Sequence, residues 1–360
     1  MAIRLLRHGS RQPANCEEIG NAGGIQAVVN GMTKHESQVQ IQEIGCCALW
    51  SLSCNNTKNN KRLREAGGIE ASVKAMANNG EHLGIQLQGL QLLSSISYNN
   101  KQNSKKVGEV GGIVVIVKGM IKHQDHAGVQ ESGCCVLGHL LEHEPNSNKI
   151  REAGGIEAMV KGMSKHEGNR DVQYEGCCTL RDLSGRDLQT KQKIRAAGGI
   201  EAFVKSMTKH SNDHDIQEEC FWALRNLLED DDECKKKMRD KRIREAGGIE
   251  AIVKAMCKHL DESDVQEQAA HALGNLAFDN DNKEKIRTAG GIEAVVRGMR
   301  RHGKDEDVQK EGFWALRNLS YNNEENKKRI KTAGAVKAVE QAMKEHEDLK
   351  RKGEKILDIL

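Results

Sequence analysis

The sequence repeats the tripeptide Ala-Gly-Gly at nearly fixed intervals from one end to the other. The third copy reads Val-Gly-Gly and the eighth Ala-Gly-Ala, and the first glycines are Gly23, Gly67, Gly111, Gly154, Gly198, Gly247, Gly290 and Gly334. Subtraction gives intervals of 44, 44, 43, 44, 49, 43 and 44 residues. Periods of this length are typical of repeats built from two or three helices. The sequence therefore predicts a solenoid, in which each repeat packs on its neighbours.

The composition favours an all-α fold and indicates no strongly charged partner. Of the 360 residues, 30% are charged, 3% are aromatic and only two are proline, which suits long helices better than sheets. The net charge of +3, from 55 basic and 52 acidic residues, gives a field too weak to indicate a nucleic acid or a membrane as partner. No apolar run approaches the roughly 18 residues of a membrane span. Because a repeat array has a continuous core, we expect one elongated domain over residues 1–360.

Each repeat divides into three predicted helices. A short first helix ends at the glycine pair, and the second helix carries apolar residues at i, i+3, i+4 and i+7, as in Ile249, Ile252, Val253 and Met256. Asp264 with Glu267 predicts a capping box at the start of a third helix. The third helices align on one glutamine per repeat, at Gln42, Gln86, Gln130, Gln173, Gln217, Gln266 and Gln309.

This alignment gives eight repeats along the chain. Their bounds are roughly 11–54, 55–98, 99–142, 143–185, 186–231, 232–279, 280–321 and 322–360. Residues 1–10 are interpreted as a cap helix or as the remnant of a preceding repeat. The long fifth interval contains an acidic run followed by a lysine run, residues 229–237, which predicts a projecting loop.

The eleven cysteines indicate a reducing compartment. Six of them form adjacent pairs, Cys46/Cys47, Cys134/Cys135 and Cys177/Cys178, at positions where the repeat requires small residues. Adjacent cysteines do not readily bond to each other, whereas a free cysteine packs as a small hydrophobic residue. We expect reduced core cysteines and an intracellular protein, cytoplasmic, with the nucleus as the other compartment.

The segments Arg-Glu-Ala-Gly-Gly-Ile-Glu-Ala and Trp222-Ala-Leu-Arg-Asn226-Leu resemble armadillo repeats, and the resemblance covers nearly the whole chain. It implies a right-handed superhelical solenoid of about eight three-helix repeats, with the third helices lining a concave groove. The sequence departs from the family in two respects. Glu70, Glu157 and Glu250 replace a common proline, and most repeats lack the tryptophan.

One position on the third helices is polar in all seven of the repeats that align there. Its residues are Ser51, Ser95, His139, Asp182, Asn226, Asn275 and Asn318. Trp222 and Trp314 lie one helical turn before two of the asparagines. In importin alpha and similar armadillo proteins, the Asn holds the backbone of an extended peptide and the Trp packs against its side chains. The resemblance therefore implies a peptide-binding site, and the alternative is that the Asn bridges helices and the Trp fills a gap.

Charged residues near this row give opposing indications. Arg181, Arg225 and Arg317 precede the row position and favour an acidic ligand, whereas Asp230 and Asp279 lie one turn beyond it and favour a basic one. We expect an extended peptide of mixed charge. Histidines also recur at the ends of the second helices, but repeats about 8–10 Å apart cannot share one metal ion, so the helix dipole explains them better. We expect no metal and no cofactor.

The sequence contains no nucleophile elbow, phosphate loop or dinucleotide fingerprint. We therefore expect a non-enzymatic adaptor or scaffold that holds an extended or disordered segment of a partner protein in its groove. The alternatives are a structural subunit of a large intracellular assembly, bound through its outer faces, and an importin-alpha-like nuclear import receptor. The chain is expected to act as a monomer or as a subunit of a larger complex.

Overall fold

The computed structural model describes residues 13–228 and 241–360, and helices are the only regular elements in these ranges. Residues 13–193 and 194–360 belong to two compact parts, here called the N-terminal and C-terminal parts. The predicted cap helix or repeat remnant at residues 1–10 and the predicted projecting loop at 229–237 lie outside the described residues.

The N-terminal part consists of successive helix triplets. In chain order its helices are α1 (Pro13–Asn21), α2 (Gly24–Lys34), α3 (Val39–Ser53), α4 (Thr57–Glu65), α5 (Gly68–Asn78), α6 (Leu83–Ser97), α7 (Lys101–Glu109), α8 (Gly112–Lys122), α9 (Ala127–Leu140), α10 (Asn146–Glu152), α11 (Gly155–Lys165) and α12 (Arg170–Ser184). The boundary between the parts falls within α13 (Leu188–Ala196).

The C-terminal part continues the same order of a short helix followed by two longer ones. Its helices are α14 (Gly199–Lys209), α15 (His214–Leu228), α16 (Gly248–Lys258), α17 (Ser263–Leu276), α18 (Asn280–Thr288), α19 (Gly291–Arg301), α20 (Glu306–Ser320), α21 (Glu324–Thr332), α22 (Ala335–Glu345) and α23 (Lys350–Ile359). Residues 241–245 are also helical, and a 3-10 turn occupies Glu347–Leu349. The all-α repeat fold predicted from the sequence is confirmed.

The apolar faces predicted for the second and third helices form the core. Ile249, Ile252, Val253 and Met256 of α16 are all buried, as is Leu273 of α17. The predicted capping box is wrong, however. Helix α17 begins at Ser263 with Glu262 as its N-cap, so Asp264 lies inside the first turn and forms no cap.

The first glycine of each pair is the N-cap of a second helix and adopts a left-handed backbone conformation. The eight φ values lie between 78° and 88°. A residue with a Cβ atom is strained in this region, which explains why glycine recurs there.

We expect Gly154→Ala to lower the free energy of unfolding by about 1–2 kcal/mol, because an L-residue resists φ of +80°. An added Cβ atom would meet nothing within 4 Å, so backbone strain is the cause rather than a clash. Gly168→Ala is the matched control, since its Cβ also meets nothing within 4 Å and its φ is not positive. Urea denaturation followed by circular dichroism measures both. Equal effects of the two substitutions would contradict this explanation.

The aligned glutamines close the ends of the second helices. Each is buried, and its Nε2 donates to two backbone carbonyls of the last turn and C-cap of the second helix, at 2.8–3.1 Å. These carbonyls have no partner within their own helix. The glutamine therefore joins the second and third helices of every repeat in which it occurs.

The histidines at the ends of the second helices join consecutive repeats. His123 Nε2 donates to the Gly80 carbonyl at 2.7 Å, and His302 Nε2 donates to the Leu260 carbonyl at 2.8 Å. His166, His259 and His346 form the same bond. A carbonyl only accepts, so Nε2 carries the hydrogen. The sequence attributed these histidines to the helix dipole, and the structure adds this bond as a second reason for them.

Most of the described cysteines belong to the core. Cys16, Cys46, Cys47, Cys134, Cys177 and Cys220 are buried, whereas Cys54 and Cys257 are exposed. Burial raises the pKa of Cys46 to about 12, so its thiol stays protonated at neutral pH. Within the described ranges, no helix has the length and apolarity needed to cross a membrane.

Candidate functional site

The polar row predicted from the sequence lies on the third helices. In each part we call the surface of these helices the third-helix face; it is formed by α3, α6, α9 and α12 in the N-terminal part and, separately, by α15, α17 and α20 in the C-terminal part. The row residues differ in accessibility. Asp182 is exposed, Asn318 is 8% exposed, and Ser51, Ser95, His139, Asn226 and Asn275 are half-buried.

In the C-terminal part, Trp314 pairs with the asparagine of the preceding repeat. Its Nε1 donates to Asn275 Oδ1 at 3.3 Å, while Asn318 Nδ2 donates to the Gly274 carbonyl at 3.0 Å. Gly274 permits this approach, because a Cβ atom there would lie 2.4 Å from Trp314 Cδ1. The sequence had paired Trp314 with Asn318. Asn318 instead bridges two helices, as in the alternative interpretation, and Asn275 is the more accessible amide.

Phe278 completes an aromatic corner around Asn275. Its side chain is 51% exposed, and its ring centroid lies 5.8 Å from that of Trp314 with the rings tilted by 59°. Asn275 Nδ2 forms no hydrogen bond to any residue that the structure describes. We call Asn275, Phe278 and Trp314 the aromatic corner, because Trp314 contacts both of the other residues and the Asn275 amide donor lies on the same helix end as Phe278.

Phe278 is one of three exposed aromatic residues at a common register that were not predicted from the sequence. Tyr98, Phe278 and Tyr321 are 62%, 51% and 63% exposed, and each lies three residues after a row position. Tyr98 also packs edge-on against His139 at 5.1 Å. Their common register was the signal available in the sequence.

The ring of Trp222 is already in contact with a cation of its own helix. The guanidinium of Arg225 lies 5.2 Å from the Trp222 ring centroid. Arg225 Nη1 also donates to Gln268 Oε1 at 3.1 Å and lies 3.9 Å from Glu267 Oε1. Burial raises the pKa of Glu267, as do the neighbouring carboxylates, and Arg225 opposes this rise. The charge of Arg225 is thus partly used within the protein.

The other charged residues of the predicted site differ in whether a partner within the protein already engages their charge. Arg181 pairs with the adjacent Asp182 at 3.1 Å, whereas Arg317 is exposed and forms no ion pair within residues 13–228 or 241–360. Asp279 caps α18 and pairs with Arg244 at 3.0 Å, so its carboxylate is already engaged. Asp230 lies outside the described residues. The proposed preference of Asp279 for a basic ligand is therefore not supported by its contacts.

His271 occupies the register of Trp222 and Trp314 in the intervening repeat, and it was not among the residues predicted from the sequence. Its Nδ1 lies 2.8 Å from Glu311 Oε2, with both side chains largely buried. Burial alone would raise the pKa of Glu311, but the hydrogen bond and charge of His271, together with Arg225 and Lys310, lower it overall. This pair joins α17 to α20 beside the aromatic corner.

A Ser-Cys-His group on the N-terminal part lacks the properties of an activated nucleophile. Ser94 Oγ lies 3.1 Å from His139 Nδ1 and 3.4 Å from Cys135 Sγ. Burial raises the pKa of Cys135 to about 12 and lowers that of His139. The thiol therefore remains protonated at neutral pH. Among the described residues, no three His, Cys, Asp or Glu side chains form a group suited to a metal ion.

The repeated helix triplets and the third-helix face define an armadillo-type scaffold, and comparison with known proteins gives the family. Residues 114–353 match the family model described as LRRK2 ARM repeat, and this chain belongs to that armadillo (ARM) repeat family. No curated protein matches the chain.

Solved structures show the same fold. An engineered protein from the Northeast Structural Genomics Consortium matches with a TM-score of 0.72 and 24% identity over 99% of this chain and 93% of its own. A designed armadillo repeat protein in complex with the peptide (KR)4 matches with a TM-score of 0.57 and 22% identity, over 69% of this chain and 98% of its own. A second engineered protein from the same consortium has a TM-score of 0.57 and 24% identity over 70% of this chain and 98% of its own.

Proposed function

We propose that this protein is a non-enzymatic adaptor that holds an extended segment of a partner protein along the third-helix face. The observation that carries the proposal is the corner formed by Asn275, Phe278 and Trp314. An extended backbone offers carbonyls, which the Asn275 amide can bind, and aliphatic side-chain stems, which the two aromatic rings can cover. The peptide in the designed armadillo neighbour supports this class of ligand.

The charges around the corner favour a segment of mixed sign. Arg317 is exposed and can pair with an acidic side chain of the ligand. Asp307 is exposed on α20, close enough to Glu267 for its charge to raise the pKa of that carboxyl, and it can attract a basic side chain of the ligand. The reduced core cysteines support a site of action in the cytoplasm, with the nucleus as the other compartment.

The proposal predicts that peptides selected by the wild-type protein depend on the aromatic corner. A random library of displayed 12-residue peptides would be selected on the full chain, and the affinity of the enriched peptides would be measured by fluorescence anisotropy. We expect Asn275→Ala and Trp314→Ala to weaken binding about tenfold or more, since buried aromatic anchors dominate such interfaces.

The exposed Asn280, on the neighbouring first helix, supplies the control variant Asn280→Ala. It should leave the affinity unchanged, and circular dichroism should show that all variants remain folded. Failure to enrich any peptide, or equal affinity for Asn275→Ala and Asn280→Ala, would contradict the proposed function.

A further inference from the structure

The second helix of the third repeat, α8, exposes an apolar stripe on the face opposite its buried core. Val114 is 47% exposed and Ile121 is 54% exposed, and they lie seven residues apart with the exposed Lys118 between them. Residues at i, i+4 and i+7 share one side of a helix. This stripe, Val114, Lys118 and Ile121, is separate from the third-helix face.

The stripe replaces an ion pair that joins other repeats. At the register of Val114, five repeats carry glutamate, and each glutamate pairs with a cation on the first helix of the next repeat. These pairs are Glu70–Lys106, Glu157–Lys193, Glu201–Arg242, Glu250–Lys285 and Glu293–Arg329.

The third repeat lacks the acid, whereas the fourth repeat keeps the cation. Lys149 occupies the register of Lys106 and Lys193, and its Nζ donates to the Gly108 carbonyl at 2.8 Å. Neither Lys149 nor Lys118 forms an ion pair within the part of the chain that the structure describes. The stripe therefore contains one ammonium group, that of Lys118, and adjoins a second, that of Lys149, and neither has a carboxylate partner there.

We propose that this stripe binds an amphipathic helix of a partner protein that carries carboxylates beside its apolar face. Apolar side chains of that helix would cover Val114 and Ile121, and its carboxylates would pair with Lys118 and Lys149. The latter contact replaces the glutamate that five other repeats provide from within the chain. This surface is independent of the proposed peptide site.

The test uses three synthetic 18-residue helical peptides that differ in one feature each. The first has leucines on one face flanked by glutamates, the second has lysines in place of the glutamates, and the third has serines in place of the leucines. We expect the first to bind the full chain at least about tenfold more tightly than either of the others in fluorescence anisotropy.

The repeats themselves provide the matched variants. Val114→Glu with Ile121→Ser gives this helix the residues that the fourth repeat has at Glu157 and Ser164 and offers Lys149 a partner, so the fold should be retained while binding falls at least about tenfold. Adding Glu157→Val and Ser164→Ile rebuilds the stripe one repeat later, beside Lys161 and Lys193, and should restore binding. The Asn275→Ala variant should bind the first peptide as the wild type does.

Three results would overturn the proposal. The first is the absence of binding by the glutamate-leucine peptide, and the second is equal binding to the wild type and to the Val114→Glu, Ile121→Ser variant. The third is a concentration-dependent dimer in sedimentation velocity that this variant converts to a monomer, which would identify a second copy of the chain as the occupant.

Discussion

Gln130→Glu should lower the free energy of unfolding by about 3–5 kcal/mol at pH 7, the range for an uncompensated buried charge. Gln130 is 1% exposed and donates to the carbonyls of Met120 and His123 at 2.9 and 3.0 Å. An ionised carboxylate has no hydrogen to donate, and it would face two carbonyl oxygens at the negative end of α8. Urea denaturation followed by circular dichroism measures the loss.

The loss should depend on pH with a definite sign. Burial without a cation raises the pKa of the introduced carboxyl in the folded state above its unfolded value of about 4.3. The unfolded state therefore releases the proton first, and the deficit grows as pH rises above that value. We expect a smaller deficit at pH 4 than at pH 7.

Gln26→Glu is the matched control for this substitution. Gln26 is exposed on α2, at the register where five other repeats carry glutamate. We expect a change within about 0.5 kcal/mol, as for most surface substitutions. An equal change in the free energy of unfolding at both positions would contradict the attribution of the loss to the buried hydrogen bonds of Gln130.

His271→Leu should cost about 2–4 kcal/mol at pH 7, because it leaves the carboxylate of Glu311 in a largely buried position without its hydrogen-bond donor. Glu311 is 9% exposed, and its oxygen lies 2.8 Å from His271 Nδ1. The loss would be measured by urea denaturation at several pH values.

The pH dependence follows from the lowered pKa of Glu311. In the wild type, this carboxylate contributes stability above its unfolded pKa of about 4.3, and the contribution disappears as pH falls through the lower folded pKa. In His271→Leu, burial acts without the compensating bond, so the ionised form is disfavoured. The deficit should therefore be largest near neutral pH and should shrink toward pH 4.

An exposed pair on the same part serves as the control. His214 lies 3.1 Å from Asp215, with side-chain exposures of 56% and 44%. His214→Leu should change stability by at most about 1 kcal/mol, as is usual for surface ion pairs. Adding Glu311→Gln to His271→Leu should recover part of the loss by removing the buried charge. No recovery would mean that the lost packing of the imidazole, rather than the charge, is responsible.

The fold was predictable from the sequence because its signals are local. The glycine period marks positions where φ must be positive, and the apolar residues of Ile249 to Met256 have the spacing of one helix face. The aligned glutamines were visible as well. Their role was not, because it depends on carbonyls seven and ten residues earlier, on another helix.

The candidate site was only partly predictable. The sequence located the polar row and Trp314, but it paired Trp314 with Asn318 because those residues lie one helical turn apart. The structure pairs Trp314 with Asn275, 39 residues earlier, and adds Phe278. It also engages Asp279 with Arg244, which removes a charge that the sequence had assigned to ligand binding.

The repeat length, the helical class and the core faces could be read from the residues alone, because each depends on backbone conformation or on spacing within one helix. Which polar groups of the third-helix face remain accessible, and which ones join repeats, became clear from the packed structure. Those outcomes depend on contacts between residues about one repeat apart, such as the 40-residue separation of His271 and Glu311. Helical periodicity specifies the direction of a side chain on its own helix, but not which side chain of the adjacent repeat it meets.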